Sequence, residues 1–227
     1  IRGVSRTISL RVNLLSYIHK IGYHLTLKVG KKEFVQDSKK KIIFPLQLQP
    51  ETNIDTNGRY YDDQLQAIIN IWRMMPDDYT LYVKEHRIAI GNRGLSFFNK
   101  LKKLRNVRVL HESVEPALIL NHVEYVATIT GTMGLEAGVE GMKVLAYGDN
   151  TYNDLESVVK VSLEDFRNCD NLDDLYSSLK RKKVVSLTVE QYLAKAMLCS
   201  FEGDGEGDVL GNPLALNSTN IKMVAFA

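Results

Sequence analysis

Three basic side chains stand close together in the segment Lys84-Glu85-His86-Arg87, directly after a short apolar run. A protonated histidine between a lysine and an arginine is repelled by both neighbours unless an anion is bound among them. A phosphate group would accept hydrogen bonds from all three side chains and make them mutually compatible. The segment is therefore a candidate phosphate site. The alternative is a solvated surface loop that binds nothing.

The segment Thr130-Gly131-Thr132-Met133-Gly134 follows another apolar run and precedes a helical pattern. Small residues at such a turn let the backbone approach a ligand, and a helix amino terminus offers N–H groups and partial positive charge to an anion. The alternative is an ordinary turn in which Thr132 caps the helix. Neither the Walker pattern nor the Gly-x-Gly-x-x-Gly spacing is present, which argues against a P-loop or a typical dinucleotide site.

Glu136 lies one turn further along the same predicted helix. Its carboxylate is able to accept hydrogen bonds from both vicinal hydroxyls of a ribose, or else it stabilises the helix dipole by about 0.3–1 kcal/mol. Polar residues also follow other predicted strands, namely Gln47, Gln49 and Glu51 after the first and His111, Glu112 and Ser113 after the third. Because ligands of open parallel sheets bind beyond the carboxyl ends of the strands, these side chains predict a ligand cleft.

A regular alternation of predicted elements positions these residues. Short apolar runs typical of strands cover residues 42–46, 81–83, 107–110, 125–129 and 143–147. Patterns with helical spacing lie between them, at residues 62–75, 95–104, 115–121 and 133–140. Strands that alternate with helices through short loops indicate a parallel sheet with helices on both faces, an α/β Rossmann-like fold.

The flanking segments are less regular than this middle part. They contain further helical patterns at residues 8–25, 163–181 and 187–199. Leu14, Leu15 and Ile18 form the apolar side of the first, and residues 30–41 are predicted as a linker or surface loop. The acidic, glycine-rich stretch 201–208 is expected to be a mobile loop, because it lacks the ligand spacing of a calcium-binding EF-hand.

The composition excludes several classes of function. The 227 residues carry 29 Lys+Arg and 27 Asp+Glu, a net charge of +2, which argues against a strongly basic nucleic-acid-binding protein. The apolar runs are too short to span a bilayer. Cys169 and Cys199 form neither a disulfide framework nor a metal pair, which is typical of a reducing compartment. Protease, esterase and zinc-site motifs are absent.

Four segments occur in a characteristic order. They are Phe44-Pro45-Leu46-Gln47-x-Gln49-Pro50-Glu51, Tyr82-Val83-Lys84-Glu85-His86, Thr130-Gly131-Thr132-x-Gly134-Leu135-Glu136-Ala137, and Gly141-x-Lys143-Val144 closing on Tyr147-Gly148. Their order and spacing resemble the capsule polysaccharide biosynthesis family, which includes the bacterial β-Kdo transferases. The resemblance covers residues 40–155 and implies the carboxyl-terminal, donor-binding half of a GT-B glycosyltransferase. Family members often have His-Pro where this chain has His86-Arg87.

The resemblance also implies roles for individual residues. In the family, the lysine–histidine segment and the Thr-Gly-Thr turn hold the donor phosphate, and a glutamate of the next helix holds the ribose. Carried over, this assigns Lys84, His86, Thr130, Gly131 and Thr132 to the phosphate, Glu136 to the ribose, His111, Glu112 and Ser113 to the nucleobase side, and Gln47, Gln49 and Glu51 to the cleft. No metal or other cofactor is implied, and the catalytic residues stay unassigned.

The function implied by the resemblance is transfer of a sugar, such as Kdo from CMP-Kdo, to a glycan or glycolipid in surface or capsular polysaccharide synthesis. The expected location is cytoplasmic, with attachment to the cytoplasmic face of the inner membrane as a further expectation. We expect residues 41–160 to bind the nucleotide sugar, residues 161–227 to form a helical extension, and residues 1–40 to be the remnant of a preceding domain. Because 1–40 are too short for an acceptor domain, we expect the enzyme to be incomplete without one.

Two other functions stay open from the sequence. One is an epimerase of the UDP-N-acetylglucosamine type, which would need acid and base carboxylates from both halves of its cleft. The other is a sugar- or nucleotide-binding module without catalysis, which would bind a nucleotide and turn nothing over.

Overall fold

The protein is described by a computed structural model that covers residues 2–199 except 52, 59, 60 and 62, with side chains from residue 13 onward except that of residue 53. The chain forms two compact units, Ile1–Ser186 and Leu187–Ala227. The predicted acidic loop 201–208 lies outside the described residues. The domain boundaries expected near residues 40 and 160 stay predictions.

The first unit is built on a six-stranded sheet in which all neighbouring strands are parallel. Its strands are β1 (Lys40–Pro45), β2 (Tyr79–Lys84), β3 (Val107–Leu110), β4 (Tyr125–Thr128), β5 (Lys143–Ala146) and β6 (Val158–Lys160). Their order across the sheet is β3-β2-β1-β4-β5-β6, which is the order of a Rossmann-like fold. The predicted α/β class is confirmed.

Helices surround this sheet. Those of the first unit are α1 (Arg2–His24), α2 (Lys31–Gln36), α3 (Gln64–Met74), α4 (Leu95–Lys102), α5 (Pro116–Leu120), α6 (Thr132–Val139) and α7 (Leu172–Lys182). Short 3₁₀ turns occur at Arg87–Ala89, Thr151–Asp154 and Asp165–Arg167, and a π-helical turn at Asn53–Asn57. The second unit contains α8 (Val189–Leu198), which begins with a capping box between Thr188 and Gln191.

The central strands are buried on both faces, as expected for a parallel sheet covered by helices. Ile42 and Phe44 of β1 and Leu81 of β2 are fully buried in one apolar cluster with residues of α3. The start of α3 is fixed by Asp63, whose carboxylate accepts hydrogen bonds from the N–H groups of the first turn. Its end is set by Pro76, which cannot continue a helix.

Three predictions differ from the structure. Segment 30–41, expected to be a linker or loop, contains α2, because the buried Phe34 ring contacts the Tyr82 ring edge-on at a centroid distance of 4.8 Å. The helix predicted over 163–181 is a 3₁₀ turn followed by α7, since the Asn171 side chain caps a new helix start. The sheet also has a sixth strand, β6, beyond the five predicted.

The predicted amino-terminal helix is present as α1, but its apolar side is exposed. Leu14, Leu15 and Ile18 are 60%, 54% and 52% exposed, whereas Tyr23 near the helix end is buried. The amphipathic pattern thus predicted a helix correctly, and the side that carries these three residues is exposed. No helix among the described residues is both long and apolar enough to cross a membrane.

Candidate functional site

The direction of the strand order reverses between β1 and β4, which are hydrogen-bonded neighbours. At such a reversal the connections leave in opposite directions and a crevice opens beyond the carboxyl ends of the strands, where ligands bind. Gln47 follows β1 and Thr130 follows β4, and the Gln47 amide lies 2.9 Å from Thr130 Oγ1. The structure therefore brings these two predicted site residues together at the reversal.

The side-chain amide of Gln47 is hydrogen-bonded to the turn after β4 on the side that faces the protein interior. With the amide oriented so that both polar atoms have complementary partners, its oxygen accepts from the N–H groups of Thr130 (2.6 Å) and Gly131, and its nitrogen donates to Thr130 Oγ1. The Gly131 N–H also donates to Thr128 Oγ1 at 3.0 Å. These polar groups of Thr130 and Gly131 are thus already hydrogen-bonded inside the protein.

Helix α6 begins directly at this turn. Its N-cap is Gly131 and not Thr132, because Thr132 is already the first helical residue; the alternative reading of Thr132 as the cap is wrong. Thr132 and Glu136 are both exposed. Residues four apart lie on one face of a helix, so these two predicted site residues share a face at the amino-terminal end of α6.

Two glycines of α6 let this helix approach the sheet closely. A Cβ atom on Gly134 would lie 2.7 Å from both Thr128 Cγ2 and Tyr152 Oη. A Cβ atom on Gly138 would lie 2.9 Å from Leu155 Cδ1. The predicted close approach at Gly134 is therefore made by the protein's own side chains, and it fixes where the amino terminus of α6 lies.

Lys84 is the last residue of β2 and is half-buried. Among the residues that the structure describes, none places a hydrogen-bond acceptor or a carboxylate in contact with its Nζ. Burial lowers the pKa of Lys84, and the positive charge of Arg87 lowers it further, while the charge of Glu112 opposes both. The contact of this ammonium group with an anionic ligand stays a prediction.

His86 is exposed and caps the 3₁₀ turn Arg87–Ala89. Its Nδ1 accepts a hydrogen bond from the Ile88 N–H at 3.3 Å. A nitrogen that accepts carries no proton, so this contact assigns the ring proton to Nε2 and leaves an N–H donor for a ligand.

The sequence analysis missed a buried ion pair behind His86. The Glu85 carboxylate accepts from Arg93 Nη1 at 2.5 Å and from the His86 N–H at 2.8 Å. Burial raises the pKa of Glu85, although the charge of Arg93 opposes this. Arg93 also donates to the main-chain oxygen of Gln47. The spacing of these residues in the sequence carries no signal for this network.

The loop after β3 contains the predicted nucleobase-side residues. Its Glu112 carboxylate accepts hydrogen bonds from Tyr23 Oη (2.8 Å) and Lys28 Nζ (3.2 Å). Burial alone would raise the pKa of Glu112, but its backbone contact and these two hydrogen bonds lower it. His111 Nδ1 lies 2.8 Å from Ser113 Oγ, and Arg87 Nε donates to the main-chain oxygen of Glu112. This last contact joins the loops after β2 and β3.

The remaining predicted cleft residues lie after β1. Gln49 Oε1 accepts from the Gln64 amide at 2.6 Å, and Glu51 is exposed. Their contact with a ligand stays a prediction, as do the roles of all the other predicted site residues. Within the described residues, no three His, Cys, Asp or Glu side chains are grouped to hold a metal ion.

The six-stranded parallel sheet with helices around it defines the class of this protein, an α/β Rossmann-like fold. The chain belongs to the capsule polysaccharide biosynthesis protein family, whose model matches residues 10–192. The family predicted from the sequence is confirmed. None of the curated proteins compared with the chain gives a match.

The solved structures that are similar to this chain have low sequence identity to it. KpsC from Thermosulfurimonas dismutans, a beta Kdo 2,7 transferase, matches with a TM-score of 0.51 and 15% identity over 84% of this chain and 53% of that one. The beta Kdo 2,4 transferase of the same KpsC matches with a TM-score of 0.46 and 16% identity, over 81% of this chain and 53% of that one. UDP-GlcNAc 2-epimerase from Methanocaldococcus jannaschii matches with a TM-score of 0.45 and 15% identity, over 74% of this chain and 47% of that one. The chain thus spans about half the length of these structures.

Proposed function

We propose that this chain is the nucleotide-sugar-binding part of a glycosyltransferase of surface or capsular polysaccharide synthesis. The observation that carries the proposal is the half-buried Lys84 ammonium, which contacts no acceptor among the described residues of a capsule-family chain. A desolvated charge is costly until an opposite charge joins it. The phosphate of a nucleotide sugar is an anion of the required kind.

The proposed mechanism uses the two ends of the cleft to stabilise the departing phosphate. Lys84 supplies a charge, His86 donates from Nε2, and Thr132 offers its hydroxyl and the amino terminus of α6. Negative charge develops on this phosphate as the bond to the sugar breaks, so preorganised donors stabilise the transition state more than the ground state. Direct contact of a phosphate with the N–H groups of Thr130 and Gly131 requires displacement of the Gln47 amide.

The nucleoside part of the donor is assigned to the two flanks of this phosphate site. Glu136, on the same face of α6 as Thr132, accepts from the ribose hydroxyls. The loop His111–Ser113 lies on the nucleobase side. Gln47, Gln49 and Glu51 belong to the cleft wall, where Gln47 shapes the turn and Gln49 and Glu51 face the sugar. The reaction in this proposal needs no metal, and no residue of this chain is assigned as the base.

Several finer features belong to the same proposal. The donor we favour is CMP-Kdo and the acceptor is a glycan or glycolipid. The protein acts in the cytoplasm, at the inner face of the inner membrane. The support for these features is membership of the capsule family.

The main alternatives are a nucleotide-sugar epimerase and a binding module without catalysis. An epimerase would convert a UDP-sugar in the absence of any acceptor. A binding module would bind the nucleotide and show no turnover after a partner domain is supplied. Neither has an observation in its favour comparable with the family match of residues 10–192.

Calorimetric titration with CMP, UDP, GDP and CMP-Kdo tests the proposal. We expect one nucleotide family to bind, and His86→Ala to weaken that binding by about 1.5–3 kcal/mol through loss of a charge-assisted hydrogen bond. His122→Ala is the matched control, because His122 lies after α5, at the opposite edge of the sheet. Absence of binding by every nucleotide to folded protein would refute the donor site.

A further inference from the structure

Arg93 is bound to two loops that follow different strands of the proposed site. Its Nη1 donates to Glu85 Oε1 at 2.5 Å, and its Nη2 donates to the main-chain oxygen of Gln47. The Arg93 side chain is 12% exposed, and its guanidinium lies 5.7 Å from the centre of the Phe97 ring. A planar guanidinium presents its donors in fixed directions, so this side chain sets one loop relative to the other.

On the β2 side, the path from Arg93 reaches His86 through one carboxylate. The Glu85 side chain is 1% exposed, and the oxygen that accepts from Arg93 also accepts from the His86 N–H at 2.8 Å. Movement of the guanidinium would therefore move the backbone that carries the His86 imidazole.

On the β1 side, the path continues through Gln47 to the start of α6. The Gln64 side chain accepts from the Gln47 N–H at 2.8 Å and donates to the Gln47 oxygen at 3.0 Å, which fixes the backbone there. The Gln47 amide in turn binds the N–H groups of Thr130 and Gly131. The path thus spans β2, β1 and β4, a distance of about 10 Å across the sheet.

A buried ion pair is by itself poor evidence of a contribution to stability, because apolar side chains of the same size often serve as well. Here Glu85 and Arg93 fix the relative positions of the loops after β2 and β1. They join the two ends of the cleft, His86 on one side and the Thr130–Thr132 turn on the other, whose separation a ligand phosphate must match.

We propose that Arg93 is a positioning residue that holds the His86 loop and the Thr130–Thr132 turn in register, so that the two ends of the phosphate site behave as one rigid unit. The expected effect on nucleotide binding rests on the proposed function. The link between the two loops does not depend on any ligand. The two parts are therefore measured separately.

The link is measured by amide hydrogen exchange, followed by nuclear magnetic resonance, in the whole chain without ligand. Arg93→Lys keeps the positive charge and loses the two guanidinium nitrogens that bind Glu85 and Gln47. We expect amide hydrogen exchange at both His86 and Gly131 to become at least about tenfold faster. Arg105→Lys is the matched control, because Arg105 is a 75% exposed arginine that pairs with Asp77. Faster exchange confined to Glu85 and His86 would overturn the proposal.

The consequence is measured by titrating the same variants with CMP. We expect Arg93→Lys to weaken binding about tenfold, as is typical when a hydrogen-bond partner behind a ligand-binding residue is lost, and Arg105→Lys to leave it unchanged. Wild-type affinity in Arg93→Lys would overturn the positioning role. Failure of the wild type to bind CMP or any other nucleotide would refute the proposed function. The exchange experiment would still show whether Arg93 links the His86 loop to the Thr130–Thr132 turn.

If Arg93→Lys does not fold, Gln47→Leu interrupts the same path between β1 and β4, because it removes the side-chain amide that binds the N–H groups of Thr130 and Gly131. Faster exchange at His86 in this variant supports the link across the sheet. Exchange that changes only around Thr130 overturns it.

Discussion

Lys84 and Arg93 are both basic residues at the carboxyl edge of the sheet, and their surroundings differ. Arg93 has a carboxylate and a main-chain oxygen as partners. Lys84 is half-buried, and none of the described residues contacts its ammonium group with an acceptor. We propose that the first arrangement fixes two loops and that the second is a site for an anion. We therefore expect the two residues to respond differently to mutation.

Lys84→Met tests this difference. We expect the free energy of unfolding to rise, because a partly desolvated charge is replaced by an apolar side chain of similar length. Nucleotide binding should weaken by about 1.5–3 kcal/mol through loss of a charge-assisted bond. Urea unfolding and calorimetry measure the two quantities, with the exposed Lys102→Met as control. A destabilised variant with wild-type affinity would mean that Lys84 is structural.

The sequence indicated Lys84 and His86 as candidates, because their types and their place after a strand are typical of phosphate binding, and this role stays a prediction. It gave no indication of the network behind them. Glu85 and Arg93 were missed, since an arginine eight residues along a loop has no spacing rule that ties it to a carboxylate. The role of Gln47 inside the turn also depends on the contact between β1 and β4, which only the strand order reveals.

At the scale of elements, the position of α6 depends on Gly134. Gly134→Ala would place a methyl group 2.7 Å from Thr128 Cγ2 and Tyr152 Oη. We expect overpacking to lower the free energy of unfolding by about 1–3 kcal/mol and to weaken nucleotide binding by displacing Thr132. Gly30→Ala is the control, because no atom lies within 4 Å of its Cβ position and its φ is −82°. Equal stability of the two variants would contradict this account of α6.

The turn after β2 has a backbone that fits the His-Pro pattern expected from the family resemblance. Arg87 is the first residue of the 3₁₀ turn, and His86 before it is extended, with φ −70° and ψ 130°. Both positions suit a proline at residue 87. We expect Arg87→Pro to raise the free energy of unfolding by about 0.4–1 kcal/mol in thermal unfolding, with nucleotide affinity retained.

The matched comparison is Ile88→Pro, one residue further on. That variant loses the N–H group that donates to His86 Nδ1 at 3.3 Å. It should unfold more easily and bind nucleotide less tightly. Destabilisation by Arg87→Pro as large as that by Ile88→Pro would show that the turn does not hold the loop as described.

A long periodic element was predicted well, whereas two short elements were missed. α3 lies over Gln64–Met74, within the range 62–75 that its apolar spacing predicted. α2 and β6 were missed, because six and three residues are too few for a period to stand out. Each is stabilised by contacts distant in sequence, α2 by Phe34 against Tyr82 and β6 by pairing with β5.

At the scale of the whole molecule, the sheet has a carboxyl edge, where the proposed phosphate site lies, and an opposite edge with a structural role. At the latter, Asp173 of α7 accepts hydrogen bonds from Tyr125 Oη and, at 3.4 Å, from Lys143 Nζ. Burial alone would raise the pKa of Asp173, but the Tyr125 bond and the Lys143 charge lower it. The ionised carboxylate therefore stabilises the fold above the unfolded-state pKa, which is about 3.9. This contribution is lost as the pH falls through the lower, folded-state pKa.

Asp173→Asn should accordingly lower the free energy of unfolding by about 1 kcal/mol at pH 7. The difference from wild type should shrink as the pH falls below about 4, because the carboxylate takes up a proton first in the unfolded chain and then, below its lower pKa, in the folded protein. Urea unfolding over this pH range measures it, with the exposed Asp170→Asn as control. A difference that is independent of pH would contradict the assignment of the ionised carboxylate.

The alternation of strands and helices was sufficient to predict the architecture of this molecule. The strand order, and with it the reversal point between β1 and β4, follows from the fold class and not from any single motif. The chain spans about half the length of the similar solved structures, and the proposal assigns no acceptor site to it. The claim made for this chain concerns the donor phosphate.

A crystal structure of the chain with CMP bound tests that claim most directly. The account predicts the phosphate within hydrogen-bonding distance of Lys84 Nζ, His86 Nε2 and the Thr132 hydroxyl or N–H, at the carboxyl edge of β2, β1 and β4. A phosphate bound elsewhere, with these three groups in contact only with solvent, would contradict it.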